Sequence, residues 1–216
     1  MIYQTTDAWY QPVFSTTADI DRPESWSRPK SLVDHPEREK WIDFWVICDE
    51  AKAYLFFTRS HREVVVMTTA IADFPAGFHD PKVVMSPIIE AAHVYRVQGA
   101  STRYQMLFEI ADGALRKYGL ATAGALAGPW RIESTDYAAG RQLSFDFPAQ
   151  HWTDEVSHGE LLRSGNDERL EVAEHPVQFL IQGMRSVQHQ GDYPALPWRL
   201  GLITVEGSSP APGRRP

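Results

Sequence analysis

Cysteine is nearly missing from this chain. Cys48 is the single one among 216 residues, which excludes an internal disulfide and any zinc site built from paired thiolates. Clusters of Cys, His and Asp/Glu at zinc-ligand spacing are absent as well. No apolar run approaches the ~18 residues that a membrane-spanning helix needs. Basic residues are outnumbered, 21 Lys and Arg against 28 Asp and Glu, and the net charge of −7 argues against a nucleic-acid partner, whose phosphates demand a basic face. The Arg pair in "SSPAPGRRP" is too short to change that, and residues 207–216 read as a disordered Pro/Ser/Gly tail. There is no Walker loop and no G-x-G-x-x-G. With neither H-E-x-x-H nor a G-x-S-x-G elbow, nucleophilic serine and zinc-peptidase chemistry lose their signatures, and any chemistry rests on carboxylates. No signal peptide is visible. The chain opens "MIYQTTDAWYQPVFS", which already reads as strand, so either the protein is intracellular or Met1 is not the natural start of the domain.

What the chain does have is enough apolar material for one domain. Hydrophobic residues make up 43% and aromatic residues 12%, with seven Trp, which excludes a disordered chain. Short strands with turn signals between them dominate. "AYLFF" (53–57), "EVVVMTTAI" (63–71), "HVYRVQG" (93–99), "YQMLFEIAD" (104–112), "KYGLATAG" (117–124), "VQFLIQGM" (177–184) and "RLGLITVE" (199–206) are β-rich. In "YQMLFEIAD", Tyr104, Met106, Phe108 and Ile110 alternate with Gln105, Leu107 and Glu109, so the first set is expected inside and the second outside. Breaks fall at "DFPAGFHDP" (73–81), "AGPW" (127–130) and "SGNDE" (164–168), and "PESWS" (23–27) suits a short helical turn. Regularly spaced short strands predict an all-β sandwich, barrel or propeller, among which periodicity does not choose.

The acidic residues carry the chemical signal. "KWIDFWVICDE" (40–50) reads as a buried strand with one carboxylate, Asp43, among aromatics. Such a charge is costly unless it is paired or used; Asp43 is either a strand-end acceptor of backbone hydrogen bonds or a working group. Glu90, in "SPIIEAAHVYRV", is flanked by Ile88, Ile89, Ala91 and Ala92. Burial there would favour the neutral acid, which suits a general acid, while a solvated strand end is the plainer alternative. "WTDEVSHGELLR" (152–163) gathers Asp154, Glu155, His158 and Glu160, and a single His is more often a hydrogen-bonded structural residue than a ligand. Cys48 reads as a small buried hydrophobe.

Together these stretches resemble glycoside hydrolase family 62, the α-L-arabinofuranosidases that trim arabinoxylan. "WIDFWVICDEAKAYLFF" resembles the family's strand pair, with an acidic residue six positions before a second Asp. "ADFPAGF" matches its F-P-x-G-F turn, and "IIEAAHVYRVQG" its L-F-E-A-x-x-V-Y-x-V segment. "WTDEVSHGELLR" resembles W-T-D-[DE]-[IV]-S-H-G-[DE], and "FLIQG" with "GDYPALPWRLGLIT" resembles the closing blade. Five motifs in order cover about residues 1–206. The resemblance implies a five-bladed β-propeller with its site at one end of the central channel, an extracellular location, and an inverting mechanism on arabinoxylan or its oligosaccharides. One carboxylic acid protonates the departing xylan oxygen, a second activates water, and a third tunes the acid. By position, Glu90 matches the general acid and Asp43 the tuning residue. His158 lies in the motif that sits beside a bound cation, for which calcium is implied. Tyr193, Gln182 and Arg199 match positions around the sugar subsite.

Several features depart from the family pattern. Its water-activating Asp stands in a K-D-P motif of the first blade, and no K-D-P precedes "IYQTTDAWYQPVFSTTADIDRPESWS" here; Asp7 is not a convincing substitute. The first blade is therefore expected to be missing or incomplete, catalysis to be impaired, and open sheet faces to cause self-association. Pro194 follows the Tyr of "GDY" where Asn is common, Thr5 follows "YQ" where Trp is common, and "AEHPVQFL" lacks a bridging Cys. The alternatives are a degenerate propeller that binds arabinoxylan without cleaving it, or a related five-bladed arabinanase or xylosidase.

Overall fold

The computed structural model describes residues 1–6, 10–33, 39–88, 90–99, 104–146, 150–174 and 177–205. The predicted tail at 207–216 and Asp7 lie outside the described residues. The chain is all-β, as expected. Among the described residues helical structure is limited to single 3₁₀ turns, one of them at Pro23–Ser25 where the sequence suggested it. Among the described residues no helix is long and apolar enough to cross a membrane.

Four sheets are described, antiparallel except at one edge of the third. The first is β1 (Ile2–Gln4), β2 (Pro12–Phe14) and β3 (Lys30–Ser31); the second is the meander β4 (Trp41–Cys48), β5 (Lys52–Arg59), β6 (Glu63–Ala70) and β7 (His79–Met85). A third meander follows: β8 (Glu90–Val97), β9 (Tyr104–Asp112), β10 (Leu115–Ala123) and β11 (Arg131–Ala138). The fourth begins with β12 (Ser157–Leu161). The chain then adds the two-residue β13 (Glu171–Val172) in parallel to the free edge of β8, before β14 (Val177–Gly183) and β15 (Arg199–Val205) complete the β12-β14-β15 sheet.

The middle sheets are buried on both faces, which is why their sequences read as near-continuous apolar runs. In β5, Ala53, Leu55 and Phe57 enter a core shared with Phe14, Leu32 and Val33 of the first sheet region. The alternate residues Tyr54 and Phe56 enter a larger core with Val94, Tyr95, Met106 and Phe108, which continues into Phe179 and Ile181 of the fourth sheet. The sheets thus stack in chain order.

Three expectations are corrected. Alternation put Leu107 and Glu109 outside, but both are fully buried, because β9 is covered by neighbours on each face. The predicted break at 73–81 ends early, since β7 already starts at His79 and pairs with β6. β11 carried no strand signal: "RIESTDYA" is mostly exposed, so it follows β10 by pairing rather than by apolar content.

The β12-β14-β15 sheet has two unlike faces. Phe179 and Ile181 point into the core, whereas Leu180, Leu200 and Leu202 on the opposite face are 38%, 75% and 54% exposed. Leu180 lies directly across from Leu202, and Gln182 from Leu200. Antiparallel sheets with one wet face usually place polar residues there.

Candidate active site

The first strands of the second, third and fourth sheets share one irregularity. In β4 the register steps from Ile42↔Thr58 to Trp45↔Phe56, in β8 from Glu90↔Glu109 to His93↔Leu107, and in β12 from Ser157↔Gln182 to Glu160↔Leu180. Each step places three residues against two, which is a one-residue β-bulge. The residue after the step has positive φ each time: Asp43 at 57°, Ala91 at 55° and His158 at 34°. A left-handed backbone costs a side-chain-bearing residue roughly 1–2 kcal/mol, so these positions need compensation. Bulges re-aim side chains, and these three aim theirs at one point. One carboxylate oxygen of Asp43, one of Glu90 and one ring nitrogen of His158 all lie within 4.8 Å of one another.

Hydrogen bonds hold the bulges in place. Asp43 Oδ2 accepts from the Ala91 N–H at 2.9 Å, and Glu109 Oε2 accepts from the His158 N–H at 3.0 Å. The rest of the β12 backbone is fastened by side chains of the third sheet. Gly159 N–H donates to the Tyr118 hydroxyl, Leu161 N–H donates to the Tyr95 hydroxyl, and His93 Nδ1–H donates to the Gly159 carbonyl. Gly159 cannot carry a side chain, because a Cβ there would lie 2.4 Å from the Phe179 ring. Trp45 stacks on His93 with centroids 4.3 Å apart and donates its indole N–H to the Val94 carbonyl, tying β4 to β8.

The electrostatics are those of a dense, nearly balanced cluster. Burial works to raise the Asp43 pKa, but the His158 contact and the Ala91 N–H outweigh it and hold the group below its ordinary value. Asp43, above all, raises the pKa of His158, against burial and with help from Glu109 and Glu90. His158 Nε2 lies 3.8 Å from Asp43, and its Nδ1 3.9 Å from Glu90 and 3.7 Å from Glu109. Glu90 is not the isolated carboxyl in an apolar pocket that the sequence suggested. Arg116 of β10 donates to both Glu90 and Glu109, and His61, from the tip of the β5–β6 hairpin, reaches Glu90 Oε2 at 3.2 Å. Burial alone pushes Glu109 up, with Arg116 opposing. His93 is partly buried and pushed down to about 4 by its desolvation, so it is a neutral imidazole.

Of the sequence-predicted residues, Asp43, Glu90 and His158 converge. Tyr193 and Gln182 stand at the edge of the cluster: the Tyr193 ring lies over the Arg116 guanidinium at 5.7 Å, and the Gln182 amide contacts the Tyr193 hydroxyl. Arg199 does not join them. It pairs with Gly183 on β14, so alternation turns it to the face opposite Gln182, where it lines a cleft with Gln150, Trp152 and Arg185. Glu109 and Arg116 went unselected in the sequence. The available signal was Leu107, an apolar residue on the same face of β9 as Glu109.

The residues offer a cation one imidazole nitrogen and two carboxylates already engaged with His158, Ala91 and Arg116. Calcium takes 6–8 oxygens, so this donor set does not fit a directly ligated calcium ion.

Comparison with known proteins gives a consistent answer. The family model described as glycosyl hydrolase family 62 matches residues 1–204. α-L-Arabinofuranosidase C of Cellvibrio japonicus is 33% identical over 205 residues, covering 89% of this chain and 32% of that protein; the chain thus spans about a third of the length of that curated relative. Among solved structures, the catalytic domain of a Coprinopsis cinerea family 62 α-L-arabinofuranosidase aligns with TM-score 0.83 and 33% identity, over 94% of this chain and 67% of that one. A Podospora anserina α-L-arabinofuranosidase in complex with cellotriose gives 0.81 and 32% identity, with the same coverage. A family 43 protein of Bacteroides ovatus, 14% identical with TM-score 0.63, shares the fold alone.

Proposed function

Because this chain belongs to glycosyl hydrolase family 62, we propose that it acts on the arabinofuranosyl side chains of arabinoxylan, as an inverting α-L-arabinofuranosidase whose general acid is Glu90. The observation that carries this reading is the convergence of Asp43, Glu90 and His158 from three separate sheets onto one spot less than 5 Å across. Glu90 is 8% exposed, with one oxygen turned to Arg116 and the other to His61. Arg116 answers to the fully buried Glu109 as well, so its charge is divided between the two carboxylates. Asp43 is a fixed negative charge beside them, held ionised by the His158 contact and the Ala91 N–H. His158, a third open to solvent, counters the two carboxylates and stands where a sugar would enter. Tyr193 and Gln182 form the flank of that entrance; Arg199 contributes, if anything, to the adjoining cleft. No step depends on calcium, for which a shell around His158 would have to come mostly from water. A polymeric substrate that cannot cross a membrane places the activity outside the cell.

The four sheets stack as consecutive blades of a five-bladed propeller of which residues 1–206 form a part, and the leucine face of the β12-β14-β15 sheet is where a further blade would pack. The water-activating carboxylate is the weak part of the machinery, since the K-D-P motif has no counterpart in this sequence. Slow hydrolysis is therefore expected from this chain by itself, since assisted water attack is worth about 10²–10⁴-fold. That same observation favours a second reading, in which the site binds arabinofuranosyl groups without cleaving them.

The test is arabinose release from wheat arabinoxylan against linear arabinan, with Glu90→Gln alongside. Release from the first alone, abolished in Glu90→Gln, supports the proposal. Release from arabinan would move the chain to the arabinanases, and retained activity in Glu90→Gln would remove Glu90 from its role. Binding without release supports the second reading.

A further inference from the structure

Glu109 is the most deeply enclosed charged group of the cluster, with none of its surface exposed. A carboxylate in that position is costly unless every lone pair is used. Its two oxygens divide their work. Oε1 accepts from Arg116, the guanidinium that also contacts Glu90. Oε2 accepts from the Ser157 hydroxyl at 2.9 Å and from the His158 N–H at 3.0 Å. None of these partners is a remote scaffold residue: each is a site residue or the neighbour of one.

We propose that Glu109 is the positioning residue of this site, a buried carboxylate that fixes Arg116 against Glu90 with one oxygen and the left-handed His158 bulge with the other. It touches no substrate. It acts by setting the distance between the acid and the imidazole, which lie on different sheets and share no direct backbone contact. The charged and titratable groups facing it are Arg116 and Tyr118 from β10, His158 from β12, Glu155 from the segment before β12, and Tyr193 from the stretch before β15; Glu90 meets it through the shared Arg116. Only Arg116 is a permanent cation. Burial works against its charge, but Glu109 and then Glu90 more than compensate, so the guanidinium stays protonated. This reading deepens the function proposed above but its geometry stands without it.

The experiment compares the wild-type chain with Glu109→Gln, which keeps shape and one acceptor but removes the charge, and with Glu171→Gln, which removes a half-buried carboxylate that contacts Arg96 and Gln98 instead. Two readouts are taken on folded protein at fixed pH: affinity for an arabinofuranosyl-substituted xylotriose by calorimetry, and the Arg116 Nε–Hε resonance by NMR. Glu109→Gln is expected to lose tenfold or more in affinity and to broaden or shift the Arg116 signal, while Glu171→Gln keeps both. Wild-type affinity in Glu109→Gln, or an equal loss in Glu171→Gln, overturns the proposal. If the wild-type chain binds no such sugar, the functional reading fails, and the Arg116 resonance alone decides this one: unchanged in Glu109→Gln, it sinks the positioning role. If Glu109→Gln does not fold, Glu109→Asp replaces it. The shorter chain reaches either Arg116 or the bulge but not both, and unchanged affinity together with an unchanged Arg116 signal counts against the proposal.

Discussion

The Asp43 carboxylate accepts a hydrogen bond from the backbone N–H of Ala91, the residue directly after Glu90. A side chain of one sheet thereby holds the bulge that aims the proposed acid of the next. Asp43→Asn retains an acceptor for Ala91 but deletes the negative charge beside Glu90 and His158. We expect arabinose release to fall about tenfold or more, because the charge that holds His158 beside Glu90 is lost. Release at the wild-type rate would reduce Asp43 to a backbone acceptor.

His158 gives a stability prediction of opposite sign to the usual carboxylate. Its folded pKa is raised, first by Asp43. The stabilisation is therefore complete below the unfolded value of about 6.5 and is lost as pH rises through the folded value. Replacing it by Gln should cost about 1 kcal/mol at pH 5.5 and less at pH 9. Urea denaturation at both values checks this; a penalty that grows with pH would mean that the imidazole is neutral in the folded chain.

Much of this site was legible before any coordinates. Asp43 stood out as a charge in an aromatic strand, Glu90 by its apolar flanks, and His158 by its motif. The bulges were not legible, and the reason is specific. A left-handed position normally announces itself through Gly, Asn or Asp; Asp43 conforms, but Ala91 and His158 do not, because the hydrogen bonds their N–H groups donate to Asp43 and Glu109 compensate their strain. Glu109 was hidden by its own alternation: period 2 separates two faces of a strand, and says nothing when both are buried. Arg199 failed for the converse reason, since motif position carries no information on which face of β15 a side chain takes.

The leucine face gives a test of assembly. Leu200 and Leu202 are more than half exposed on a sheet whose other side is core, and exposed apolar patches mark contact surfaces. The chain expressed alone is expected to self-associate at micromolar concentration, and Leu200→Lys with Leu202→Glu to shift it toward monomer without lowering its melting temperature. Light scattering coupled to gel filtration reads this directly. A wild-type chain that runs as a monodisperse monomer would show that this face needs no cover.

Glu155 is the sharpest anomaly outside the cluster. It is fully buried, and among the described residues its carboxylate finds no well-formed hydrogen bond, only the poorly aligned Arg116 backbone N–H nearby. Burial accordingly raises its pKa. In the unfolded chain the group ionises near 4.3, so between that value and the folded one the native state holds a proton that the unfolded state has released. The native state is the more protonated of the two, and stability must fall as pH rises across that window. An apolar residue of similar length removes both the orphaned oxygens and the linkage. Glu155→Met should gain about 1–2 kcal/mol at pH 7.5, with the gain shrinking toward pH 4 as the wild-type group becomes neutral in both states. Chemical denaturation across pH 4–8 measures it. A loss of stability, or a difference that ignores pH, would mean that Glu155 is charged in the folded protein and held by Arg116.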